Sequence, residues 1–400
     1  MDLRYSPEDE DFRRELRSWL DAALPLEMRE PAFWAGMSDD ERFQVRREWE
    51  AGKAAAGFAG IVWPTEYGGR GGSPTMKAIY DREMALANAP TTVNPLGLTF
   101  LAPTVMALGT EQQKRSIIKP LLHNEVIWCQ GFSEPGAGSD LAALQMKAER
   151  HGDEYVLNGQ KIWTTNAMHG DKIFAMARTG SAEGSRHAGI SMLLVDMHQS
   201  GVEARPLRQM TGASEFGEVF FTDATSPVED VLGGEGNGWQ TAMLLLSFER
   251  GSSAIGQYTE FHKQWEKVVG LAHEIDRDAA TGVGKAADDP VLRQQLAGAL
   301  IDLECLKYHS WHILTQTSKG KDLGFEASMT KIMWSEAFRR VSDSYEAVLG
   351  TGFQVPDPRP GLSVAELTTM AMWSRSCTIW GGSTQVQRNI VAERVLGLPR

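Results

Sequence analysis

Apolar residues recur at helical spacing through the first quarter of the chain. Phe12, Leu16, Trp19 and Leu20 follow Ser6-Pro7-Glu8-Asp9, which offers an N-cap, a proline at the first helical position and acids in the first turn. Ser38-Asp39-Asp40-Glu41 repeats that start signal before Phe43 and Trp49, and WPTEYGGRGGSPT (63–75) breaks the pattern before more helix. From about residue 126 the apolar period shortens. Tyr155-Val156-Leu157, Asn158-Gly159 and Gln160–Trp163 predict a hairpin, because Asn-Gly suits the left-handed positions of a type I′ turn. KIFAMAR (172–178), GISMLLVDM (189–197) and GEVFF (217–221) continue as strands. After the glycine cluster GGEGNG (233–238), read as a linker, helical spacing returns and persists to the C-terminus. The α–β–α order predicts an α+β multidomain chain divided at 1–125, 126–236 and 237–400.

The chain has 400 residues, 42% of them hydrophobic and 23% charged, enough for several units with a substantial buried core. A net charge of −12 leaves no general basic face for nucleic acid, though a local donor cluster still suits a small anion. Cys129, Cys305 and Cys377 are far apart and form no CxxC, which points away from a zinc site or disulfide framework and towards a reducing cytoplasm. No apolar run approaches the roughly 18 residues of a membrane span.

Two stretches carry candidate chemistry. GFSEPGAGSD (131–140) combines glycines, which permit close backbone approach, with Ser133 and Ser139. It suits a phosphate or flavin edge, and equally a turn cluster before a strand. A dinucleotide fingerprint is not met, because Gly136-Ala137-Gly138 lacks the third glycine and the βαβ context. In LLLSFERGSSAIG (244–256), helical spacing places Glu249 on the face of Ala242, Leu245 and Leu246. A carboxylate in such surroundings is made more basic, as a general base requires. A buried structural ion pair fits the same pattern. His309 and His312 share a helix face but have no third ligand nearby, so no metal is expected.

GFSEPGAGSD, then NGQKIWTTN (158–166), then QVQRNIVAERVLG (385–397) together resemble the acyl-CoA dehydrogenase family. WPTEYGG (63–69) and LGGEGNGW (232–239) add to the resemblance, which spans essentially the whole chain. It implies an N-terminal helical domain, a central antiparallel β domain and a C-terminal four-helix bundle, with FAD at their junction. Carried over by position, Phe132 and Ser133 would border the isoalloxazine, Gly138 and Ser139 the cofactor and acyl-CoA phosphates. Trp163 would pack near the flavin, Thr165 would lie near its N5, and Ser383 and Gln385 would approach FAD. The implied reaction is oxidation of an acyl-CoA thioester to the trans-2-enoyl-CoA, with electrons passed to an electron-transfer flavoprotein.

IWGGSTQVQRN (379–389) departs from the family pattern, which commonly has Glu where this chain has Gly381. One branch, including isovaleryl-CoA and long-chain dehydrogenases, carries the base on an earlier helix in a Glu-Arg pair, and Glu249-Arg250 falls at that position. The resemblance therefore implies Glu249 as base and the Gly381 backbone N–H as donor to the thioester carbonyl, with Arg250 beside the substrate. Ser383 or Thr384 is expected to cap the last helix. RDAATGVGKAADD (277–289) lacks the family's Arg-x-x-Phe-Gly element, leaving Arg277 as an approximate substitute. The adenosine loop is altered at Glu346, Leu349, Gly350 and Gly352. Such changes resemble actinobacterial subunits that pair with a complementary chain, so a homotetramer and a heterotetramer are both expected forms. A flavin monooxygenase or oxidase on the same fold, and a catalytically quiet subunit, are the alternatives.

Overall fold

The structure, a computed structural model, describes residues 4–181, 184–248, 254–276, 284–321, 324, 327–355 and 364–399. By contact the chain divides into two units. One comprises Gly36–Gly72 and Pro90–Glu249; the other comprises Met1–Ala35, Ser73–Ala89 and Arg250–Arg400.

The first unit is built around a sheet of β1 (Trp128–Gly131), β2 (Lys147–His151), β3 (Glu154–Thr165), β4 (Lys172–Arg178), β5 (Ile190–Asp196), β6 (Val202–Leu207), β7 (Phe216–Pro227) and β8 (Val231–Leu232). The order is β6-β7-β3-β2-β4-β5-β8, with β1 pairing β4 in parallel. The long ladders β2–β3, β3–β7, β4–β5 and β6–β7 are antiparallel. β4 and β5 are buried over almost their whole length, which explains their nearly unbroken apolar runs. Helix Asp39–Ala55 begins with the capping box expected at Ser38, whose hydroxyl accepts from Glu41 N at 3.2 Å. The glycine cluster 233–238 joins β8 to helix Gly238–Phe248, where Ala242 and Leu245 are fully buried.

The Asn158-Gly159 hairpin is not formed. β3 runs straight through these residues, and the reversal lies one turn earlier, at Gly152 (φ +65°), between β2 and β3. Asn158-Gly159 is instead an irregularity in the β3–β7 ladder, between Leu157 and Gly159. The Asn158 amide donates to Asp223 Oδ1 at 3.0 Å, and Asp223 is itself left-handed (φ +50°). Gly159, at φ +150°, lets β3 pass close to Met146, the residue before β2: a Cβ there would lie 2.9 Å from Met146 Cα. Asn-Gly satisfies a bulge as readily as a turn, and the cross-strand partner decided between them.

The second unit is helical. Its core lies among helices Ala254–Glu274, Pro290–Ser318, Ala327–Leu349 and Val364–Cys377, the expected four-helix arrangement. Phe261 stacks on Phe338 with ring centroids 4.6 Å apart, and the Tyr345 hydroxyl donates to Gln264 O at 2.8 Å. Helix Pro7–Ala23, capped by Ser6 as expected, joins helix Pro74–Leu86 through the buried Glu83. That carboxylate takes Arg13 Nε at 2.8 Å and Arg17 Nε at 3.0 Å, and the bond holds the Arg13 guanidinium above its usual pKa. Glu83→Ala is expected to lower stability by about 1.5–3 kcal/mol, the range for a lost hydrogen bond to a charged group, read by denaturant unfolding. Helices precede and follow the strands along the chain, so the fold class is α+β as expected. Among the described residues no helix is long and apolar enough to cross a membrane.

Candidate functional site

In the sheet unit, β1 delivers the chain into the 132–139 loop against β4. The Phe132 ring packs edge-on against the buried Phe174, centroids 5.9 Å apart and planes at 87°. Glu134 and Ala137 exchange backbone hydrogen bonds of 2.9 and 3.0 Å, folding the loop back on itself. Ser133 is half-buried, whereas Gly138 and Ser139 are exposed. Around Gly136 and Gly138 there is open space where a side chain would stand.

β3 faces this loop, and Ile162 N donates to Ser133 O at 2.9 Å. Between Lys161 and Thr164 the β3–β7 register slips. The slip puts Lys161 and Thr164 in the core while Trp163 turns outward, 55% exposed, on a left-handed backbone of φ +60°. A bulky residue with positive φ is strained, and such strain collects where a side chain is held for a purpose. Phe216 meets the Trp163 ring edge-on at 6.0 Å. Thr165 is half-buried, and the following Asn166 (φ +55°) ties the strand end down through Nδ2 to Val93 O at 2.9 Å.

Two ionisable groups beneath this face were missed in the sequence. Lys161 is fully buried, and its ammonium donates to Glu134 Oε1 at 2.7 Å and Phe132 O at 3.2 Å. Burial pulls its pKa down to about 8, against the opposing pull of Glu134. The available signal was a lysine at a position whose neighbours alternate as a half-buried strand.

Gly381, Ser383 and Gln385 lie in the helical unit. Helix Val364–Cys377 ends before Trp380, and Gly381 (φ +65°) and Gly382 (φ +82°) carry the chain to helix Thr384–Ile390. Ser383 caps that helix, its hydroxyl accepting from Val386 N at 3.3 Å, which settles the cap between Ser383 and Thr384. Gly381 O accepts from Gln387 Nε2 at 2.8 Å, and Thr384 N donates to Thr378 O at 2.9 Å. Gly381 and Gln385 are exposed, and Ser383 is half-buried. The buried Lys331 donates to Cys377 O and lies 5.0 and 5.1 Å from the ring centres of Trp334 and Trp380. It therefore fixes both the end of one helix and the residue before Gly381. Lys331→Met is expected to cost about 1–2 kcal/mol of stability, from the lost charged bond and cation–π contacts, measured by denaturant unfolding.

Phe132, Ser133, Gly138, Ser139, Trp163 and Thr165 thus share one unit, and Gly381, Ser383 and Gln385 share the other. Glu249, Arg250 and Arg277 lie outside the described residues. Of the altered adenosine loop, Gly350 takes φ +56° where helix Ala327–Leu349 ends.

Comparison with known proteins places these segments in one family. The acyl-CoA dehydrogenase N-terminal, middle and C-terminal domain models match residues 6–125, 129–224 and 236–396. The chain is 39% identical to the acyl-CoA dehydrogenase IpdE1 of Mycobacterium tuberculosis (strain ATCC 25618 / H37Rv), over 98% of both chains. It is 32% identical to the acyl-CoA dehydrogenase FadE26 of the same organism, over 100% of this chain and 99% of that one. Among solved structures, it is similar to the ChsE4-ChsE5 complex from Mycobacterium tuberculosis, with 31% identity, a TM-score of 0.84 and full coverage of both chains. The Tcur3481-Tcur3483 steroid ACAD gives 29% identity and a TM-score of 0.84, again over the whole of both chains. The chain belongs to the acyl-CoA dehydrogenase family.

Proposed function

We propose that the protein is an FAD-dependent dehydrogenase that converts an acyl-CoA thioester to its trans-2-enoyl-CoA. The observation that carries this reading is the pinned loop 132–139 beside an outward Trp163 on strained backbone, within a full-length family match. The residues present fit a flavin. An exposed indole offers a surface for a planar ring, Thr165 and Ser133 offer hydroxyls beside it, and the open space around Gly136 and Gly138 leaves room for phosphates.

FAD, when bound, supplies the hydride acceptor at its N5. The chain supplies the rest. Glu249 removes the proton α to the thioester, and the N–H of Gly381 donates to the carbonyl oxygen, where enolate charge develops. The α C–H electrons form the new C=C bond as hydride departs from the β-carbon. Trp163, Thr165, Phe132 and Ser133 would hold the ring, Gly138 and Ser139 phosphates, Ser383 and Gln385 would contribute to holding the cofactor, and Arg250 would serve the substrate. An electron-transfer flavoprotein then takes the electrons.

The kinship with a steroid ACAD supports a bulky, steroid-derived acyl group. The test is anaerobic bleaching of the flavin by CoA thioesters. A steroid side-chain thioester should bleach it, and butyryl-CoA should do so far more slowly. Oxygen consumption by reduced flavin without acyl-CoA would favour an oxidase instead. The altered segments 277–289 and 346–352 support a heterotetramer with a related chain, as do the paired names of the two solved relatives. Flavin content per subunit, with and without a co-purified partner, tests this. A colourless preparation with every partner would mark a quiet subunit.

A further inference from the structure

We propose that the buried Lys161–Glu134 pair is a positioning device that aims the Ser133 amide at the flavin. The inference rests on the functional reading above. One carboxylate joins three segments: Glu134 Oε1 takes Lys161 Nζ at 2.7 Å and Met146 N at 3.0 Å, and Oε2 takes Gln145 N at 2.6 Å. The same ammonium draws in Phe132 O at 3.2 Å, while Ile162 N draws in Ser133 O. Two successive carbonyls of the loop are therefore turned towards β3.

The geometry of the peptide sets where the Ser133 N–H points. The chain has no cis peptide among its described residues, so the C=O of Phe132 and the N–H of Ser133 point in opposite directions. Pulling Phe132 O into the core turns the Ser133 N–H away from it. That amide becomes a donor fixed from beneath by a charge it never touches. A buried ion pair is weak support for stability, because apolar residues of similar size commonly serve as well. Specific geometry is the better reason to keep one here. Lys161 and Glu134 act through Phe132 and Ser133, and so are positioning residues.

The test titrates FAD into apoprotein, together with any co-purified partner chain, for wild type and for the double variant Lys161→Met/Glu134→Gln. That variant removes both charges and keeps the volume. The apoprotein should fold but melt below wild type, because glutamine offers one acceptor where Glu134 serves both Gln145 N and Met146 N; the folded protein should bind FAD about tenfold more weakly, the scale of one hydrogen bond. The visible absorption and circular dichroism of the bound flavin should also shift. If the double variant does not fold, Glu134→Asp serves in its place: it keeps the charge, shortens the reach and should show the same weakening and shift. A folded variant with wild-type affinity and wild-type flavin bands overturns the proposal and leaves the functional reading standing. A wild-type protein that takes up no FAD overturns both.

Discussion

Glu249→Gln is expected to slow anaerobic flavin reduction by acyl-CoA by about 10²–10⁴-fold, the usual contribution of a positioned general base. The α-proton of a thioester is weakly acidic, so its removal needs a carboxylate of raised basicity. The face that helical spacing assigns to Glu249 includes Ala242 and Leu245, both fully buried. Glutamine keeps the shape and hydrogen-bonding reach of glutamate but cannot take the proton. Acyl-CoA binding and FAD content should therefore stay near wild type while the rate collapses, a separation that misfolding would not produce. Stopped-flow absorbance under excess substrate reads the rate directly. Bleaching at the wild-type rate would remove Glu249 from the role.

Phe174→Ala is expected to cost about 3–5 kcal/mol, the range for deleting a buried phenylalanine. Phe174 is fully buried at the centre of the sheet, between Gln130 of β1 and Leu194 of β5. Its ring also supports Phe132 from below. Against a total stability of about 5–15 kcal/mol, that loss is a large fraction, so poor soluble yield should accompany it. Denaturant unfolding measures the cost. Phe174→Leu fills most of the space and should recover more than half of it.

Local rules were legible where local chemistry decides. The capping boxes at Ser6 and Ser38 and the cap at Ser383 are contacts within three residues, and the sequence contains both partners. β4 and β5 were legible because burial on both faces demands continuous apolar runs. Asn158-Gly159 was misread because its conformation depends on Asp223, on a strand 65 residues away. Lys161 and Glu134 were overlooked for the same reason: 27 residues separate them, and only the fold makes them a pair. Of the candidate site, the residues were nominated from ordered motifs, whereas the Lys161–Glu134 contacts beneath them join positions that no local pattern links.

The left-handed backbone at Gly381 bears on attempts to move the base. At φ +65° an L-amino acid with a side chain is strained, and Gly381 O is already held by Gln387. A glutamate placed there, as much of the family has it, would begin in a conformation it resists. If Glu249 is the base, as proposed, the chain specifies that choice twice, by the glutamate at 249 and by the dihedral angles at Gly381. Transplanting the base from Glu249 to 381 requires redesigning the loop's path as well as exchanging two residues.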